Sequence, residues 1–81
     1  MTKLAWSPAI TIEDRSRGTR RTVRTPGQAR IALHRDWPDM SGSRYRIAEA
    51  ICEAALRGQT DPAEARKAFI AAAIEAHLNL S

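Results

Sequence analysis

Cysteine is nearly absent from this chain of 81 residues, and its single thiol, Cys52, excludes both an internal disulfide and a cysteine-rich zinc site. Aromatic residues are almost as scarce. Trp6, Trp37, Tyr45 and Phe69 are the whole set, so a core must rest on few large side chains and much alanine. Long hydrophobic runs are missing too: the longest apolar stretch, residues 68–74, falls far short of the about 20 residues that cross a bilayer. No apolar run of signal-peptide length follows Lys3. These absences lead to the expectation of a soluble, cytoplasmic protein without a membrane partner, and the length allows one domain, residues 1–81.

What the chain does have is arginine. The net charge is +4, and the excess lies in residues 1–40, with eight Lys and Arg against four Asp and Glu; residues 41–81 have five of each. Arg15, Arg17, Arg20, Arg21 and Arg24 fall within ten residues, a density that suits a phosphate-bearing or acidic partner. The plainer reading is a solvated strand edge, where charge discourages sheet-to-sheet aggregation.

Ile10, Thr11, Ile12 and Glu13 alternate, as do residues 19–24 around Val23, with Ser16, Arg17 and Gly18 between them as turn material. This predicts a β-hairpin. Thr25, Pro26 and Gln28 then form a helix start, with Thr25 as N-cap, Pro26 at the first helical position and Gln28 completing a capping box. That helix is expected to reach residue 35, to bury Ala29, Ala32 and Leu33, and to end before Trp37 and Pro38. A second helix is predicted over residues 44–57, with Tyr45, Ala48, Ile51, Cys52, Ala55 and Leu56 on one face and Gly58 as its terminal cap. Asp61, Pro62 and Glu64 repeat the capping signal for a third helix to residue 76, whose polar stripe is so narrow that the helix is either sandwiched within the chain or shared with another subunit. Residues 77–80 alternate and predict a closing strand.

The expected fold class is therefore α+β: an amino-terminal hairpin, three helices, and a short carboxy-terminal strand completing a small antiparallel or mixed sheet with the helices on one face. In this arrangement Ile10, Ile12, Val23, Leu78 and Leu80 face the helices, while Thr11, Glu13, Arg20, Thr22, Arg24, His77 and Asn79 share the open face.

With Trp6 before the first strand, Val23 before the Thr25 helix start, the Trp37-Pro38 step after Leu33, and Gly42, Tyr45, Ala48, Cys52, Ala55 and Gly58 beyond it, the chain resembles a known family. Ala65, Arg66, Ala68, Phe69, Ala72 and Ala76 extend the match. The family is the short, uncharacterised proteobacterial proteins grouped as domain of unknown function 982. The resemblance covers nearly the whole chain. It implies a single α+β domain and carries over no activity and no site residues; its landmarks are mostly apolar or small, which reads as packing.

Three constellations invite a chemical reading. His34, Asp36 and Asp39 crowd the end of the first helix, where a His and two carboxylates could bind a metal, but neighbouring Arg35 or Arg44 more simply pairs the carboxylates. Cys52 lies on an apolar face, where a thiol packs as a small hydrophobe with a raised pKa. Arg66 points between Phe69, Ile70 and Ala73, so it either pairs with Asp36 or Asp39 or lays its stem over the surface. Trp6 and Trp37 read as core plugs rather than stacking platforms. No glycine-rich phosphate cradle, nucleophile elbow or His-Glu metal motif is present, so neither an enzyme nor a cofactor is expected.

The functional expectation is a non-catalytic interaction or assembly module, most simply a homodimer through the alanine-rich third helix at Ile70, Ala73 and Ile74. The alternative is weak, salt-sensitive nucleic-acid binding through the hairpin of residues 15–24, using phosphate contacts alone because no aromatic lies on the strands to stack a base.

Overall fold

Turn chemistry places the hairpin. The computed structural model describes residues 5–81. Its strands β1 (Ile10–Asp14) and β2 (Thr19–Val23) pair antiparallel, with Ile10 opposite Val23 and Asp14 opposite Thr19. Between them Asp14 Oδ1 accepts the N–H of Ser16 at 3.1 Å, the Ser16 hydroxyl at 2.7 Å and the N–H of Arg17 at 3.3 Å. Such a side chain mimics a backbone turn, and Gly18 completes the reversal at φ +69°. Trp6 lengthens the hairpin by donating its backbone N–H to Arg24 O and its indole N–H to Val23 O.

Three helices follow: α1 (Pro26–Arg35), α2 (Ser43–Leu56) and α3 (Pro62–Glu75). Thr25 caps α1 by accepting the N–H of Gln28 at 3.0 Å, and Gln28 reaches back to the N–H of Arg24 at 2.7 Å. Gly58, at φ +74°, ends α2: its own N–H goes to Ala55 O and that of Gln59 to Ala54 O, the paired bonds of a Schellman cap. At α3 Asp61 accepts the N–H of Ala63, but Glu64 does not close a capping box; its carboxylate lies 3.3 Å from the Lys67 ammonium instead.

The closing strand β3 is Asn79–Leu80, antiparallel beside β1, which gives the sheet order β2-β1-β3 with no parallel pair. His77 is not part of it. It sits at φ 59° just past α3, where its N–H reaches Ile74 O and that of Leu78 reaches Ala73 O, so the helix ends in a second Schellman cap with histidine in the place glycine usually holds. Leu80 stands opposite Ile12, on the expected face, yet remains 36% exposed at the edge of a two-residue strand.

Beneath the sheet all four aromatic rings join in one chain. Phe69 is fully buried, with its ring 5.2 Å from Trp37 and 5.7 Å from Trp6, and Trp37 is 6.4 Å from Tyr45. Tilted contacts at these separations suit the ring quadrupoles. The Tyr45 hydroxyl donates to Leu33 O at 3.0 Å, satisfying a carbonyl in the last turn of α1. Ala29, Ala32, Ala48, Ala55, Ala65 and Ala72 are buried around the rings, so helices built largely from alanine approach closely enough for four aromatics to fill the core.

Candidate functional site

The hairpin arginines do not act as one patch. Arg21 stands opposite Ile12, on the helix side of the sheet, and forms an ion pair with Asp36 at the end of α1. Arg17 donates to the backbone oxygen of the same Asp36 at 3.1 Å. Two of the five thus fasten the hairpin to the α1 terminus, where cations also complement the helix dipole. Arg15 lies 3.6 Å from Glu13. Arg20 and Arg24 are exposed, and neither forms an ion pair among the described residues.

His34, Asp36 and Asp39 are held apart. His34 Nε2 lies 3.1 Å from Glu49 Oε2 on α2, and Asp39 Oδ1 accepts the N–H and hydroxyl of Ser41. Those bonds hold the Asp39 carboxyl below its usual range, the hydroxyl contributing most. The neighbours Arg35 and Arg44 take neither carboxylate. Among the described residues no group of three or more His, Cys, Asp or Glu converges as a metal site would require. Arg66 pairs with neither loop aspartate: its Nε donates to Pro8 O at 2.8 Å, tying the segment before β1 to α3. Cys52 is fully buried, and burial pushes its thiol up to about 11, only partly opposed by the Arg30 guanidinium.

On α3 the three residues singled out for self-association separate. Ala73 is wholly inside the chain's own core, Ile70 is half-buried, and Ile74 is 62% exposed. Beside Ile74, the carboxylate of Glu75 crosses to α2 and accepts the N–H groups of Arg44 and Tyr45, capping a helix whose own N-cap, Gly42, has no side chain. This cap holds the start of α2 against the end of α3. Two further exposed aliphatics lie close to it in the chain: Met40 and Ile47, 48% and 43% exposed. Ile47 is a surface residue that helical periodicity could have flagged, since it falls outside the apolar stripe of α2.

A cleft of about 290 Å³ with a mixed polar and apolar lining opens at the turn end of the sheet, between Asp14, Arg15, Ser16, Pro38, Leu78 and Asn79 among others, His77 included. Its elements come from three distant parts of the chain, so no spacing in the sequence marks it.

No described helix is long and apolar enough to cross a membrane. Three helices laid on one face of a three-stranded antiparallel sheet define a small α+β protein. A family model for a protein of unknown function, DUF982, matches residues 9–80, and the chain belongs to that family. No curated protein and no solved structure matches it.

Proposed function

We propose that this chain is a non-catalytic assembly module that pairs with a second copy of itself through the end of the α2–α3 pair. The observation that carries the reading is Ile74: on a helix that buries Ala65, Ala68, Phe69, Ala72 and Ala73, this one large aliphatic is 62% exposed. Met40 and Ile47 flank the same cap in sequence, so burying the three would remove apolar surface that the monomer leaves wet. A cytoplasmic setting fits the lone buried thiol. Light scattering over a range of concentrations tests the pairing. The mass is expected to rise from 9.0 kDa toward twice that value, and Ile74→Lys is expected to hold it at 9.0 kDa without loss of helical signal. A mass fixed at one chain throughout overturns the reading.

A second reading, phosphate-backbone binding by the open sheet face, is favoured by the exposed Arg20 and Arg24. With Arg17 and Arg21 held by Asp36 and Arg15 beside Glu13, few cations remain, so such binding is shallow and lost with salt. Fluorescence anisotropy with random single-stranded RNA and DNA tests it: Arg20→Gln with Arg24→Gln should abolish a low-salt signal, and an unchanged signal removes the face from consideration.

A further inference from the structure

Asp14 ends β1 on the side of the sheet that faces the helices, nine-tenths buried, and lines the cleft between the hairpin turn, Pro38 and the α3–β3 connection. Its two oxygens differ sharply. Oδ1 accepts three donors, from Ser16 and Arg17, whereas Oδ2 is buried with no hydrogen-bond partner among the described residues. A buried carboxylate oxygen left without a donor is costly and calls for an occupant. We infer that this cleft is a binding site for a primary ammonium group, held by Asp14 Oδ2.

The geometry selects the ligand class. A guanidinium binds carboxylate best through a two-pronged fork that needs both oxygens. Here one oxygen is already saturated, which leaves a single acceptor suited to a compact cation with rotatable N–H donors. The adjacent Arg15 lies toward Glu13, so among the described residues it does not occupy Asp14 Oδ2. The Ser16 hydroxyl, with the backbone N–H groups of Arg17 and Ser16, holds the Asp14 carboxyl below its usual range, so the charge that attracts an ammonium is present at neutral pH.

The rest of the cleft suits a short alkylamine. Pro38 and Leu78 supply apolar wall, Asn79 a second polar group, and the volume lies at the small end of ligand pockets. His77 also lines the cleft, carried there by a left-handed backbone in which a side chain is disfavoured. Because Oδ2 is covered, an entering amine must displace part of that cover.

Amide chemical shifts of the isotope-labelled protein, read at neutral pH against butylammonium, butylguanidinium, tetramethylammonium and the blocked peptide acetyl-Gly-Lys-Gly-amide, in which the lysine side chain supplies the sole ammonium, test this site. Butylammonium is expected to shift Asp14, Ser16, His77 and Asn79 with a Kd on the order of 1–10 mM, and the guanidinium and quaternary cations to leave them unmoved. A response to the peptide as well assigns the source as a protein lysine; a response to butylammonium alone assigns a free amine. Asp14→Asn, which keeps the Oδ1 acceptor that the turn needs, should weaken binding at least about tenfold. Equal shifts from tetramethylammonium, or none from butylammonium at about 100 mM, overturn the proposal and leave Oδ2 to a water molecule. If Asp14→Asn does not fold, the comparison among cations on the native chain decides alone.

Discussion

Glu75 Oε1 accepts the backbone N–H of Tyr45 at 3.2 Å, so the last residue of α3 caps the first turn of α2 across 30 positions of sequence. The same carboxylate accepts the N–H of Arg44 at 3.1 Å and the Ser43 hydroxyl at 3.4 Å. Gly42 makes room for it, because a Cβ there would collide with the Glu75 carboxylate. Glu75→Ala should therefore cost about 1–2 kcal/mol, the value of a charged N-cap. Gly42→Ala should be destabilising in the native chain and nearly neutral once Glu75 is alanine, a coupling that a double-mutant cycle in urea measures directly. Additive effects would show that a Cβ at position 42 does not disturb the cap, and an unchanged stability in Glu75→Ala would show that the cap contributes nothing.

The two Schellman caps make opposite predictions. Gly58 occupies its left-handed position at no steric cost, so Gly58→Ala should destabilise by about 1 kcal/mol. His77 occupies the equivalent position with a side chain, and His77→Gly should stabilise by about 0.5–1 kcal/mol after the greater freedom of glycine in the unfolded chain is set against the relief. Thermal unfolding of the two variants should move in opposite directions. A loss of stability in His77→Gly would mean that the imidazole makes a contact of greater value than the strain.

How far the sequence revealed these features depends on their range. The Thr25 cap, the Gly58 terminus and the hairpin turn rest on neighbours within four residues, and their residue types state their geometry. The helical stripes likewise placed Leu33 and Tyr45 inside. The closing strand was legible as well, but its start was set two residues early, at His77, because alternation cannot tell a strand from a helix terminus when both are this short. Arg21–Asp36, Arg66–Pro8 and Glu75–Tyr45 were not legible at all. Each joins elements whose mutual placement follows from packing, and several arginines could have answered Asp36 equally well on charge alone. The exposed Ile74 is a different case: its direction on α3 could be read, but whether the chain itself would cover it could not.

Removing the Tyr45 hydroxyl isolates one buried bond. Tyr45→Phe keeps the ring against Trp37 and leaves Leu33 O without its donor, so the cost should be about 1–2 kcal/mol. Phe69→Ala is a harsher change. It empties the centre of the aromatic chain and should cost about 3–5 kcal/mol, against a total of about 4–12 kcal/mol expected for a domain this size. Urea titration should therefore find Tyr45→Phe folded with a lowered midpoint, and Phe69→Ala with a midpoint lowered about two- to three-fold further.

Alkaline pH should weaken the fold through the same core. Burial pushes the Cys52 thiol from 9.0 up to about 11, so above pH 9.0 the unfolded chain releases a proton that the native chain retains. The sign is that of a raised pKa: the contribution is complete below 9.0 and is lost as pH rises to about 11, roughly 2–3 kcal/mol in all. Tyr45 adds in the same direction, its hydroxyl raised first by burial and then by the nearby Glu49 carboxylate. Urea midpoints should fall steadily across this window, and Cys52→Ala should flatten the fall while leaving the share due to Tyr45. Iodoacetamide gives an independent reading, since a thiol that is both buried and protonated should be alkylated only when the chain opens. Rapid labelling of the native protein near neutral pH would contradict the burial and, with it, this account of the alkaline transition.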